Sequence, residues 1–101
     1  MRMMLFFDLP METPLQKREY NQFRKSILKM GFIMEQKSVY SKLALNSSAA
    51  KLLEGRIEKI IPSEGLIEII TITEKQYSNM KIMLGEKNQT TIKNVERILI
   101  F

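Results

Sequence analysis

The 101-residue chain contains no cysteine and no histidine. The first absence excludes disulfides and thiolate zinc sites. The second removes the commonest general base and the commonest transition-metal ligand. A metal here is therefore a hard cation held by oxygens, magnesium or manganese. No apolar run approaches the roughly 20 residues of a membrane span. Met1-Arg2 leads directly into an apolar run without the pattern of a signal peptide, so a cytoplasmic location and no membrane partner are expected. Phosphate loops, dinucleotide fingerprints, nucleophile elbows and zinc spacings are all missing. So is the glycine-and-aromatic signature by which RNA-recognition motifs stack bases. Neither low-complexity sequence nor a linker interrupts the chain, which leaves room for one domain over 1–101, its core at about 1–79 and a C-terminal segment at about 80–101.

What is present is an ordinary globular composition, 45% apolar, with a net charge of +5 from 16 basic and 11 acidic side chains. That balance favours an anionic partner without requiring one, because net charge governs association rather than fold.

One stretch organises the rest. Met3 to Phe7 is unbroken apolar sequence, followed by Asp8, Leu9 and Pro10. Such a run reads as a strand buried on both faces, ending at a carboxylate on its C-terminal lip. Thr13-Pro14-Leu15-Gln16 is a capping box with proline at the first helical position and predicts a helix from about Pro14 to Met30, closed by Gly31. Tyr20, Phe23, Ile27 and Met30 recur at its apolar spacing. Phe32 to Glu35 and Ser38 to Lys42 read as strands around a Gln36-Lys37 turn. Asn46 caps a second helix from about Ser47 to Ile61, stopped by Pro62 and weakened by Gly55. Leu66 to Thr73 is the clearest strand, and Thr73-Glu74-Lys75-Gln76 is a second capping box opening a short helical turn. Lys81 to Leu84 and Ile98 to Phe101 read as two further short strands.

The resulting order, β-α-β-β-α-β, predicts an α+β ferredoxin-like sandwich: four antiparallel strands with both helices on one face. The terminal Ile98, Leu99, Ile100 and Phe101 are too apolar to stand as a free edge. They pair either within their own sheet or on the edge of a second copy, and the latter makes a homodimer in which this strand completes the partner's sheet.

Three places carry potential chemistry. Asp8 is either a turn aspartate capping backbone amides or a catalytic, metal-binding carboxylate, which gains a second oxygen ligand if a two-fold axis brings its copy opposite. Between Gln16 and Lys37 six basic residues meet two acidic ones, giving that window +4. Lys17, Arg18, Arg24 and Lys25 are there either a solvated helix face or a sequence-neutral phosphate-binding surface, the arginines being better placed to fork onto phosphate. Ser38 either packs with Val39 and Tyr40 or reaches a phosphate or metal-bound water.

These residues have a counterpart. A strand ending Phe7-Asp8-Leu9-Pro10, a basic first helix, the stretch from Gly31 to Lys42 and Ile72-Thr73-Glu74-Lys75-Gln76 resemble the small CRISPR-associated adaptation subunit family (Cas-two), most closely its type II-A branch. The resemblance covers nearly the whole chain. It implies a ferredoxin-like homodimer that bridges dimers of the CRISPR integrase subunit (Cas-one), captures double-stranded prespacer DNA and inserts it as new spacers. It also implies a magnesium-dependent endonuclease of RNA or DNA, with the family's strand-end aspartate at Asp8. The family often has tyrosine where this chain has Phe7, so that hydroxyl is absent. A non-catalytic DNA-binding scaffold is the alternative reading, and a different ferredoxin-like RNA-binding or toxin-type endoribonuclease domain a more distant one.

Overall fold

The computed structural model describes residues 1–86. In chain order the elements are β1 (Arg2–Asp8), α1 (Pro14–Lys29), β2 (Ile33–Gln36), β3 (Val39–Leu43), α2 (Ser47–Glu58), β4 (Leu66–Ile72) and α3 (Glu74–Ser78). The strands form one antiparallel sheet in the order β2-β3-β1-β4, so the most apolar strand takes an interior position.

Local chemistry sets the helix starts. The Thr13 hydroxyl accepts from the Gln16 amide at 3.1 Å, while the Gln16 side chain accepts from the Thr13 amide at 3.0 Å. Asn46 accepts from the Ala49 amide at 2.9 Å, and Thr73 with Gln76 repeats the reciprocal box. Each cap satisfies amides that a helix's first turn cannot. Gly31, with φ of +98°, turns the chain out of α1.

Met3, Leu5 and Phe7 project onto one face of the sheet, where Phe23 and Ile27 of α1 and Ala50, Leu53 and Ile57 of α2 cover them. Phe7 sits edge-on to Tyr20 and Phe23 and is stacked on Tyr40, with ring centroids 5.3–5.9 Å apart. In α2, a Cβ built on Gly55 meets nothing within 4 Å. Gly55→Ala is therefore expected to raise stability by about 0.5–1 kcal/mol, read as a higher denaturation midpoint at unchanged slope.

The opposite face carries Arg2, Met4, Phe6 and Asp8, and here the expectation of a strand buried on both faces holds only for its first half. Arg2 packs against α3 and Met4 is buried, whereas Phe6 and Asp8 remain exposed. Arg2 is 3% exposed and is held on several sides. Its Nε and Nη2 donate to the two carboxylate oxygens of Glu74 at 2.9 and 3.2 Å, its guanidinium lies 4.3 Å from the Tyr77 ring centroid, and its Nη1 reaches Ser41 at 3.5 Å. Ser41 and Tyr77 both donate to Glu35, Ser41 at 2.6 Å. This cluster fastens α3 to β1, β2 and β3.

Burial first, and then its hydrogen bond to Glu35, push the Tyr77 phenol well above its usual 10.0. A raised folded-state value means full stability below pH 10 and progressive loss above it, as the unfolded phenol ionises first. Urea melts at pH 8 and 11 are expected to show wild type losing more stability than Tyr77→Phe.

Three boundaries differ from expectation. The β2–β3 turn is Lys37-Ser38 rather than Gln36-Lys37, because a bulge between Met34 and Gln36 lengthens β2. Phe32 lies before β2, its amide donating to the Ile27 carbonyl of α1's last turn at 3.2 Å, and α2 stops at Glu58, not Ile61. Lys81 to Leu84 forms no strand. That segment lies beside the side chains of Met4, Phe6 and Val39 on a face of the sheet. The predicted strand of Ile98, Leu99, Ile100 and Phe101 falls outside the described residues.

Candidate metal and nucleic-acid site

Asp8 closes β1 opposite Leu66 of β4, with its side chain exposed at the end of the sheet. The backbone around it is fixed from both sides. The Phe7 amide donates to the Ser38 carbonyl at 3.1 Å. On the other side Gly65, at φ of +114°, comes so close that an added Cβ would stand 2.8 Å from the Asp8 carbonyl oxygen and 2.6 Å from the Leu9 side chain. Only a residue without a side chain allows that approach. Ser38 takes the left-handed conformation, φ 70°, so the turn beside Asp8 holds local strain in a non-glycine residue.

Ser38 therefore lies next to Asp8 through the backbone, with its carbonyl already engaged. Among the described residues no hydrogen bond or ion pair engages the Asp8 carboxylate, and no group of three or more acidic, histidine or cysteine side chains could hold a metal. Register adds one residue that sequence reading passed over. Glu68 pairs with Phe6 and so shares the Asp8 face as its diagonal neighbour. The strand alternation of Leu66 to Ile72 carries that information only once its pairing with β1 is known.

Lys17, Arg18, Arg24 and Lys25 are exposed on α1, whose inward side is Phe23 and Ile27. Lys17 and Arg24, seven residues apart, share one flank, and Arg18 with Lys25 shares another. Arg24 donates from Nε to the Tyr40 hydroxyl at 3.0 Å. The structure thus sets these four cations in two pairs along α1, apart from Asp8. The helix packs on the face bearing Leu5 and Phe7, and strand alternation turns Asp8 to the other. Sequence reading also missed the cluster around Arg2; its one visible signal was an arginine set into an apolar strand.

Fold and site together define a ferredoxin-like α+β domain with an exposed strand-end aspartate and a basic first helix. Residues 1–80 match the family profile "CRISPR associated protein Cas2", and the chain belongs to that family. It is similar to the CRISPR-associated endoribonuclease Cas2 of Treponema denticola, 48% identical over 100 residues that make up 99% of each chain. A protein of the same name from Streptococcus mutans (strain UA159) is 45% identical over 101 residues, covering all of this chain and 92% of that one. Among solved structures, Streptococcus pyogenes Cas2 at pH 6.5 matches with a TM-score of 0.62 over 84% of this chain and all of that chain, at 17% identity, a likeness of fold. No helix among the described residues is long and apolar enough to cross a membrane.

Proposed function

We propose that this chain is a CRISPR adaptation protein that acts as a homodimer with the CRISPR integrase subunit to acquire new spacers from foreign DNA. We further propose that the dimer cleaves phosphodiesters at a pair of Asp8 carboxylates. The observation that supports this most is the half-covered sheet. Beyond α3, Phe6 is 37%, Ile70 53% and Leu66 57% exposed, an apolar surface broken by Glu68, with Asp8 at its rim. Surfaces of that kind mark association sites. A second copy laid against this one brings its own Asp8 to the same rim.

The donor chemistry fits a hard cation, since Asp8 and its diagonal neighbour Glu68 offer oxygen only. One chain offers too few such donors, and a second supplies the rest. Magnesium or manganese held there would lower the pKa of a bound water and neutralise phosphate charge. The chain's own part is to hold Asp8 at a rigid strand end and to bind phosphates through Lys17, Arg18, Arg24 and Lys25. The nucleic acid bound is duplex DNA, and the phosphodiester cleaved is that of RNA or DNA, the relatives' name, endoribonuclease, supporting RNA.

A second reading, a non-catalytic scaffold that spaces integrase dimers along DNA, gains from one observation. The basic helix and Asp8 lie on opposite faces of the sheet, so a duplex lying on α1 does not by itself deliver a phosphodiester to Asp8.

Binding and cleavage separate in one experiment. Reversing Arg18 and Lys25 to glutamate is expected to weaken duplex binding more than about tenfold and to reduce the slope of log affinity against log salt by about 2, one phosphate for each lost cation. Chelating divalent metal is expected to stop cleavage and leave binding unchanged. Affinity unmoved by the double reversal refutes the phosphate surface.

A further inference from the structure

We infer that Tyr40 is a positioning residue for nucleic-acid binding: its buried phenol fixes Arg24 so that the outward N–H groups of the guanidinium face a phosphate. This rests on the phosphate-binding reading of α1.

Tyr40 is 1% exposed, and its ring is pinned. It stacks on Phe7 at 5.4 Å with an interplanar angle of 24°, and Phe7 is itself wedged against Tyr20 and Phe23. The hydroxyl has nowhere to swing. It accepts from Arg24 Nε at 3.0 Å, and Arg24 is otherwise exposed on a flank of α1. An arginine held by Nε keeps both terminal nitrogens, the pair that forks onto phosphate oxygens. A long side chain free in solvent loses rotamer freedom when it binds, and one already held loses less. Among the described residues, Lys17, Arg18 and Lys25 have no such anchor. The bland explanation is that a buried phenol merely needs a partner and takes the nearest cation. That explanation predicts a stability effect and no binding effect.

The test uses the full chain, fluorescence anisotropy, and two probes: a 30-base-pair duplex and a single-stranded RNA of equal length. Tyr40→Phe keeps the ring and removes only the anchor. It is expected to lower affinity for the bound probe about 3–10-fold. Arg24→Ala is expected to lose at least as much, and Tyr40→Phe added to Arg24→Ala is expected to lose nothing further. Arg24→Lys keeps the charge without the Nε fork and is expected to match Tyr40→Phe. Melting curves of each variant separate lost folding from lost binding. If Arg24→Ala weakens binding while Tyr40→Phe does not, or if their losses add, the positioning role is wrong and the phosphate surface stands. If Arg24→Ala leaves affinity unchanged, Arg24 touches no phosphate and the inference fails. A wild-type chain that binds neither probe overturns both the inference and the reading beneath it.

Discussion

Asp8→Ala is expected to bring magnesium-stimulated cleavage down to the no-protein background while leaving the fold intact. The two halves of that expectation come from the same geometry. The Asp8 carboxylate is exposed, and the contacts that shape its strand end are made by backbone: the Asp8 carbonyl against Gly65, the Phe7 amide to Ser38 and the pairing with Leu66. Removing the side chain disturbs none of them, so stability should stay within about 0.5 kcal/mol of the parent. It does remove one carboxylate from each chain, and therefore both from a paired site. Asp8→Asn, which keeps the shape and drops the charge, should behave alike. Cleavage that persists undiminished in purified Asp8→Ala places the chemistry elsewhere. Spacer acquisition that survives in this variant, with cleavage gone, supports the scaffold as the physiological role.

Phe7→Ala should act on stability where Asp8→Ala acts on chemistry. Phe7 is the residue just before Asp8, but it points to the other face, into the contact of Tyr20, Phe23 and Tyr40. Truncating a buried phenylalanine costs about 3–5 kcal/mol, from lost transfer energy and the cavity left behind. A domain of this size has about 5–15 kcal/mol in all. The melting temperature should fall by more than about 12 °C, and Phe7→Leu, which keeps most of the volume, should cost less than about 1.5 kcal/mol. A Phe7→Ala protein as stable as the parent would show that the aromatic cluster does not hold α1 to the sheet.

Much of this was readable from local chemistry. Each of the two threonine capping boxes, the Asn46 cap and the apolar spacing of Phe23 and Ile27 involves residues only three or four positions apart, and each appears where expected. The order of elements gave the ferredoxin-like sheet. What sequence could not reach depends on partners distant along the chain. The burial of Arg2 requires Glu74 and Tyr77, more than seventy positions away, and the placing of Glu68 beside Asp8 requires the β1–β4 register. Lys81 to Leu84 reads as a strand because Ile82, Met83 and Leu84 are apolar, yet a strand also needs backbone pairing, and that segment lies beside side chains on a sheet face. The separation of the basic helix from Asp8 was hidden for the same reason: helical and strand periods show which residues share a side of an element, not which side faces which neighbour.

The absence of cysteine makes the two-fold assembly directly testable, because Asp8→Cys introduces one thiol per chain. Mild oxidation, or a short bifunctional thiol cross-linker, should convert this variant at micromolar concentration into a species of twice the 11.9 kDa chain mass, one that reductant releases in the oxidised sample. A well-folded Asp8→Cys protein that sediments as a single subunit and yields no cross-link would contradict the paired carboxylates and the homodimer together.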